Sequence, residues 1–212
     1  AEYELVKGLE KDFHLIIPAM DGMYPESPEF STFAEQCRQM EEYINENYGG
    51  HIRGVFGCSQ GAMVLSELLA RNKVSIDVAV LDGIYLAHQG NLAAWLGYRV
   101  FRKVKKNGGK FPKTMNMVMK LMGLSEEDYK MFSMLYWDVS DISMKRNLYE
   151  NYNYHVNPGI ANSETKVYLW CGSKEPYAIK SHEILKKYLK NYEEQIWPNV
   201  GHGVMLYFHT DE

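Results

Sequence analysis

The sequence predicts an α/β fold, in which a mostly parallel sheet carries helices on both faces and a helical cap is inserted between two strands. Short apolar runs alternate with amphipathic segments, which is the pattern of parallel strands joined by helices. A long helical stretch without strand character interrupts this alternation. In addition, a G-x-S-x-G motif stands where a predicted strand meets a predicted helix.

The bulk composition is that of a soluble globular protein. The 212 residues suffice for one sizeable core, and 46% hydrophobic with 24% charged residues excludes the disordered and fibrous classes. A net charge of −4 argues against a dedicated nucleic-acid-binding protein. No apolar run approaches the ~20 residues that cross a bilayer. The three cysteines follow no metal-ligand or disulfide spacing, so we expect free thiols and a cytoplasmic protein.

The first predicted elements precede the motif. Residues 13–17 form an apolar run closed by Pro18, which predicts a strand. Thr32 and Glu35 have the spacing of a capping box, and the helix that follows places apolar residues at helical intervals. Gly49 comes directly after this periodic segment and is expected to end the helix.

The remaining strands and helices follow the same alternation. The predicted strands are residues 52–56, 78–81, 167–171 and 195–197. Helices are expected around residues 62–69, after the motif, and around residues 184–189, between the last two strands.

Residues 85–162 are predicted to form the cap, and residues 1–84 and 163–212 the sheet core. The cap sequence is helical in pattern, basic near its start and rich in methionine, which suits an adaptable apolar pocket or ordinary helix packing. Its basic residues, which suit a solvated helix face or an anionic substrate, are Arg99, Arg102, Lys103, Lys105 and Lys106. Its methionines are Met115, Met117, Met119, Met122, Met131, Met134 and Met144.

The motif itself spans Gly57 to Gly61 and has the setting of a nucleophile elbow. An apolar run enters it and an amphipathic helix leaves it, so Ser59 would stand on a sharp turn above the sheet edge. We expect a Cβ at Gly57 or Gly61 to collide with neighbouring backbone. The backbone N–H of Gln60, at the start of a helix, would stabilise an oxyanion. A serine-capped turn without chemistry is the alternative interpretation.

Cys58 is a second potential nucleophile within the motif. It lies one residue from the apex of the turn, so its side chain should point away from Ser59. We expect it to pack as a small buried hydrophobic residue.

A serine nucleophile needs a base and an acid that orients the base. His202, in a glycine-flanked loop after the last predicted strand, is the preferred base, and His209 and His182 are weaker candidates. Glu175, which precedes a proline after the fourth strand, is the preferred acid. Asp82, directly after the third strand, remains the alternative acid.

These residues resemble the α/β-hydrolase superfamily, and in particular its capped esterase, lipase and peptidase-like members. The resemblance covers residues 1–83 and 165–212. It implies Ser59 as nucleophile, Glu175 as acid and His202 as base, with the Gln60 N–H in the oxyanion hole and no metal or cofactor. Residues 18–27 are similar to a loop that often lines the substrate pocket.

The sequence departs from this family pattern at one point. The family takes a second oxyanion donor from a loop after an earlier strand, and nothing before Phe13 provides that strand or loop. We therefore expect the leading strands to be missing from this sequence. Loss of one oxyanion donor typically costs ~10²–10³ in turnover.

The sequence thus predicts a serine hydrolase that cleaves a carboxylic ester or thioester through an acyl-enzyme on Ser59. Its partner would be a small-molecule substrate, with an apolar acyl group if the cap forms a pocket. No nucleic acid, membrane span or cofactor is expected, and amide cleavage and the oligomeric state remain open. The alternative is a non-catalytic protein of the same fold that binds a small molecule.

Overall fold

The computed structural model describes residues 6–86, 88–107 and 138–203. All the cap methionines named above except Met144 lie outside the described residues, as does the weaker base candidate His209. The three cysteines are free thiols, as predicted. Among the described helices, none is both long and apolar enough to cross a membrane.

A parallel sheet with helical connections forms the centre of the molecule, which confirms the predicted fold class. The four strands are ordered β1-β2-β3-β4, and each neighbouring pair is parallel. Their bounds are β1 His51–Cys58, β2 Ser75–Asp82, β3 Lys166–Gly172 and β4 Tyr192–Trp197. The α-helices are α1 Phe33–Tyr48, α2 Gln60–Arg71, α3 Gly90–Lys106, α4 Asp141–Asn153 and α5 Pro176–Leu185.

Helix α1 begins and ends at the predicted signals. The Thr32 hydroxyl accepts a hydrogen bond from the backbone N–H of Glu35 at 3.1 Å, and Gly49 ends the helix with a φ of 61°. The reciprocal half of the capping box is replaced, because the Glu35 carboxylate binds Arg38 instead.

The apolar core lies on one face of the sheet. Ala79 and Leu169 point into it, with Phe33 and Leu68 from the first two helices. Helix α5 covers the same face, since its His182 hydrogen-bonds Glu194 of β4 at 2.9 Å. The opposite face carries a row of aromatic contacts among Phe56, Trp170 and Trp197. Within the described residues, the helices that pack on the sheet thus all lie on one side, whereas the sequence predicted helices on both faces. The constant direction of the strand order accounts for this difference.

The first predicted strand, residues 13–17, is wrong as a strand within the described chain. A short 3-10 helix, Lys7–Lys11, is followed by chain whose Phe13, Ile16 and Ile17 side chains are exposed. The physical reason is that this backbone pairs with none of the four strands of the sheet. The N–H of Phe13 instead donates back to the carbonyl of Leu9.

The described part of the predicted cap is the helix pair α3 and α4. Met144 and Leu148 of α4 form a small apolar cluster with Tyr98 of α3, separate from the sheet core. A second helical segment at the end of the predicted insertion, the 3-10 helix Pro158–Asn162, packs on the sheet core through Ile160. The predicted domain boundaries themselves remain a prediction.

Candidate active site

Ser59 stands on a strained turn between β1 and α2. Its φ of 56° and ψ of −116° lie in a region that side-chain-bearing residues rarely occupy. The turn is fixed on both sides, because the Ser59 N–H donates to the carbonyl of Asp82 at 2.8 Å. The Ser59 carbonyl accepts the first hydrogen bonds of α2, from Ala62 and Met63.

The two glycines of the motif have different roles. A Cβ at Gly57 would lie 2.5 Å from the carbonyl oxygen of Gly61, so no side chain fits there. A Cβ at Gly61 would meet nothing within 4 Å. The predicted steric need for glycine is therefore confirmed at Gly57 and wrong at Gly61.

Glu175 and His202 are in direct contact at the carboxyl end of the sheet. The distance from Glu175 Oε2 to His202 Nδ1 is 2.5 Å, and the other carboxylate oxygen accepts from the Gly172 N–H at 2.6 Å. The side chains are only 6% (Glu175) and 14% (His202) exposed. Both oxygens of the carboxylate are thus engaged, which fixes the plane in which it meets the imidazole.

Gly83 makes room for this contact, a role that the sequence did not reveal. It follows β2 with a φ of 57°, and a Cβ there would lie 2.7 Å from His202 Cε1 and 3.1 Å from Glu175 Oε2. The signal in the sequence is a glycine that follows the apolar run of residues 78–81 and Asp82.

Gly172 similarly allows the loops after β3 and β4 to approach each other. A Cβ at Gly172 would lie 2.2 Å from the carbonyl oxygen of Val200. The same carbonyl accepts from the Lys174 N–H at 3.0 Å, and the Asn199 N–H donates to the Ser173 hydroxyl at 2.8 Å. These bonds tie the loop that carries Glu175 to the loop that carries His202.

Asp82, the alternative acid, lies beside this pair. It is buried, and burial together with the negative charge of Glu175 raises its pKa to about 6, against the opposing effects of Cys58 and His202. His202 Nδ1 contacts Glu175, so of the two predicted acids the structure brings Glu175 to the imidazole.

Cys58 differs from its prediction. It lies opposite Asp82 of the neighbouring strand, and its side chain is half-buried and outside the apolar core. The expectation that it packs as a small hydrophobic residue is therefore wrong. Burial raises the pKa of this thiol well above its usual range, so it is a poor nucleophile.

The weaker base candidate His182 is not at this site. It is fully buried in α5, where its Nδ1 contacts Glu194 Oε1 at 2.9 Å, and burial lowers its pKa.

Three residues of the predicted basic segment have structural partners. The guanidinium of Arg99 lies over the ring of Trp95, 5.4 Å from its centroid. Arg102 binds the carboxylate of Asp141 at 2.7 Å, and Lys105 binds the carbonyl of Val139.

Gln60 connects the motif to helix α4. As the first residue of α2, it has a backbone N–H without an acceptor inside the helix, beside Ser59. Its side-chain oxygen accepts from Asn151 Nδ2 at 3.2 Å, and its buried Nε2 has no partner among the described residues. Nothing in the spacing of residues along the chain indicates this link to Asn151.

Two tyrosines follow residues of the site along the chain. Tyr85 comes two residues after Gly83 and Tyr177 two residues after Glu175, and their rings pack with centroids 5.4 Å apart. Burial raises the pKa of Tyr85 to about 12, so its hydroxyl stays neutral.

The chain directly after the predicted pocket loop, residues 18–27, is bound to α4. The carboxylate of Glu29 accepts hydrogen bonds from the hydroxyls of Ser140 and Ser143, and the Phe30 N–H donates to Ser143 at 2.9 Å.

Across residues 6–86, 88–107 and 138–203, no group of three or more histidine, cysteine or acidic side chains is arranged to hold a metal ion.

Comparison with known proteins shows similarity at the level of structure. No protein-family model matches the sequence, and no curated protein matches it. An alpha/beta hydrolase family protein from Desulfitobacterium hafniense aligns with a TM-score of 0.79 at 19% identity, covering 98% of this chain and 84% of that protein. An esterase from Exiguobacterium antarcticum aligns at 0.71 and 13% identity, with 99% and 83% covered.

A thermophilic esterase from Thermogutta terrifontis aligns with a TM-score of 0.70 at 14% identity, covering 97% of this chain and 79% of that protein. Identities this low establish a shared fold. The protein therefore has the architecture that these three structures share.

Proposed function

We propose that this chain, which has the α/β-hydrolase fold, is a serine hydrolase that cleaves a carboxylic ester or thioester through an acyl-enzyme on Ser59. The observation that carries the proposal is the contact between Glu175 and His202, 2.5 Å long and largely buried. In addition, Ser59 stands on the turn between β1 and α2 and has the strained backbone that is typical of a nucleophile elbow. A ligand-binding protein would have no chemical need for this acid–imidazole pair.

In the proposed mechanism, the Glu175 carboxylate holds the proton of His202 on Nδ1, so that Nε2 is the nitrogen that acts as the base. His202 accepts the proton of Ser59 as the hydroxyl attacks the carbonyl carbon, and the Gln60 N–H stabilises the oxyanion. His202 then gives the proton to the leaving group. The same imidazole activates water, which releases the acid from Ser59.

The substrate proposal rests on the surroundings of these groups. Tyr85 and Tyr177, each two residues along the chain from a residue of the site, pack their rings together, and such aromatic surface suits an apolar acyl group. Two of the similar structures described above are esterases by name. An ester or thioester needs no metal when a base and an oxyanion donor are present.

The test is covalent labelling of the full chain with a fluorophosphonate probe. We expect labelling of the unchanged protein and of a Ser75→Ala control, whose serine is exposed at the start of β2. The Ser59→Ala variant should show neither labelling nor hydrolysis of p-nitrophenyl esters. Labelling that persists in Ser59→Ala, or is absent from the unchanged protein, would refute the proposal.

A further inference from the structure

Helix α3 exposes a continuous stripe of large apolar and basic side chains on its outer face. Its inner face packs through Ala94, Gly97 and Val104, which are buried. The outer stripe consists of Leu92, Trp95, Leu96, Arg99, Lys103 and Lys106, which are all exposed, and each has another member three or four residues away.

The apolar half of the outer stripe is too exposed for ordinary packing. Leu92 is 72% exposed, Trp95 44% and Leu96 51%, although leucine is among the residues most often fully buried. Single exposed apolar residues need no explanation, but three on adjacent helical positions form a contiguous patch. Such patches mark interaction surfaces.

The charge of α3 opposes that of the whole protein. The helix contains five basic residues and no acidic residue, whereas the chain has a net charge of −4. Arg102 and Lys105 are bound to neighbouring groups, as described above. Arg99, Lys103 and Lys106 point outward and form no ion pair with a residue that the structure describes. Their charge is therefore available to an external anion.

We propose that the outer stripe of α3 docks the protein on an anionic lipid surface. Leucine and tryptophan beside lysine and arginine on one helix are the combination that binds in the interface of a membrane. The apolar side chains enter the acyl boundary while the cations contact lipid phosphates. A second copy of this chain would bring the basic residues against each other, and a nucleic acid would leave the apolar half unused.

The stripe is adjacent to the candidate active site. Directly before α3, the side chain of Gln89 donates to the hydroxyl of Tyr85 at 2.6 Å. Tyr85 follows Gly83, the glycine that lies against His202 and Glu175, by two residues. The apolar end of the stripe is therefore the end nearest the site. Together with the proposed function, on which this step rests, docking assigns acyl esters held in a lipid surface as the substrate class.

The test is co-sedimentation of the full chain with phosphatidylcholine vesicles, with and without phosphatidylserine. We expect binding only when phosphatidylserine is present, and weaker binding at high salt. The variant Arg99→Gln/Lys103→Gln/Lys106→Gln should bind about 100-fold more weakly, because each cation contributes a few-fold in affinity near such a surface. The matched control Lys73→Gln/Lys187→Gln/Lys190→Gln removes the same charge from exposed positions elsewhere and should bind like the unchanged protein.

The apolar half is tested separately with Leu92→Ala/Trp95→Ala/Leu96→Ala, which should lower vesicle binding by at least about tenfold. Circular dichroism should show that each variant stays folded. Equal loss in the charge variant and its control, or no binding to phosphatidylserine vesicles, would overturn docking. Polyglutamate should bind more weakly than the vesicles. If it binds as strongly, and if the Leu92→Ala/Trp95→Ala/Leu96→Ala variant still binds it, the face would be assigned to an acidic protein and lipid docking would be overturned. The Ser59→Ala variant should bind vesicles normally, so failure of the proposed hydrolase function is distinguishable from failure of docking.

Discussion

At the scale of single residues, the candidate site depends on two positions where the backbone lies so close to neighbouring atoms that a side chain would clash with them. Gly83 and Gly172 each leave a space that a Cβ would fill, and this space admits the ring of His202 and the loop that carries it. The two acids nearby have different surroundings. Glu175 contacts the imidazole and one backbone N–H, whereas Asp82 is buried beside Cys58.

This difference predicts unequal effects of amide substitution. Glu175→Gln should lower kcat by roughly 10³–10⁴-fold, because an amide no longer fixes the imidazole tautomer that Ser59 needs. Asp82→Asn, which is the matched change on the neighbouring strand, should leave kcat close to that of the unchanged protein. Ester hydrolysis measured for both variants checks this, and a larger loss in Asp82→Asn would make Asp82 the orienting acid.

Sequence alone identified Ser59, Glu175 and His202 as candidates because a local motif and the order of residues along the chain carry that information. It could not choose between Glu175 and Asp82, because both follow the ends of strands that turn out to be neighbours in the sheet. The requirement for Gly83 and the position of Cys58 opposite Asp82 depend on distances across strands. Such distances are set by the fold and leave no mark in local spacing.

At the scale of elements, helix α4 is fastened to the rest of the molecule by polar contacts at both ends. Its first turn binds Glu29 and Phe30 through Ser143, and its last turns reach the nucleophile elbow through Asn151 and Gln60. The periodicity of the sequence predicted helices in this region. The strand that the sequence predicted at residues 13–17 is absent, because a strand requires a hydrogen-bonding neighbour and an apolar run does not specify one.

The contact between Asn151 and Gln60 predicts a coupling from α4 to the elbow. In Asn151→Leu, the side-chain oxygen of Gln60 loses its hydrogen bond, so the backbone N–H beside Ser59 is held less firmly. We expect kcat to fall by about five- to tenfold with little change in KM, corresponding to roughly 1 kcal/mol.

The matched control is Asn153→Leu on the same helix, since Asn153 Nδ2 bonds only the carbonyl of Tyr149 within α4. This control should keep the kcat of the unchanged protein. If both variants lose kcat equally, the effect belongs to helix stability and the coupling to Gln60 is absent.

At the scale of the whole molecule, the strand order explains why the described helices share one side of the sheet. The chain moves in one direction from β1 to β4, and right-handed crossovers in a constant direction place their helices on the same face. Leu81 and Leu169 are therefore completely buried under these helices, whereas Phe56 on the other face remains exposed. Asp82 lies on the same face as Phe56 but, unlike Phe56, it is buried.

The burial of Asp82 predicts how the stability of the whole molecule depends on pH. Its pKa rises from an ordinary 3.8 to about 6 on folding, so the folded state holds the proton more tightly than the unfolded state. Stability should therefore fall as pH rises between these values and stay lower above them. Asp82→Asn removes this penalty, so it should stabilise the protein by on the order of 2 kcal/mol above pH ~7 and hardly at all below pH ~4. Urea unfolding at the two pH values checks this, with Asp12→Asn, an exposed carboxylate, as the control that should change stability at neither. A gain of equal size at both pH values would show that the carboxyl of Asp82 is not the source of the penalty.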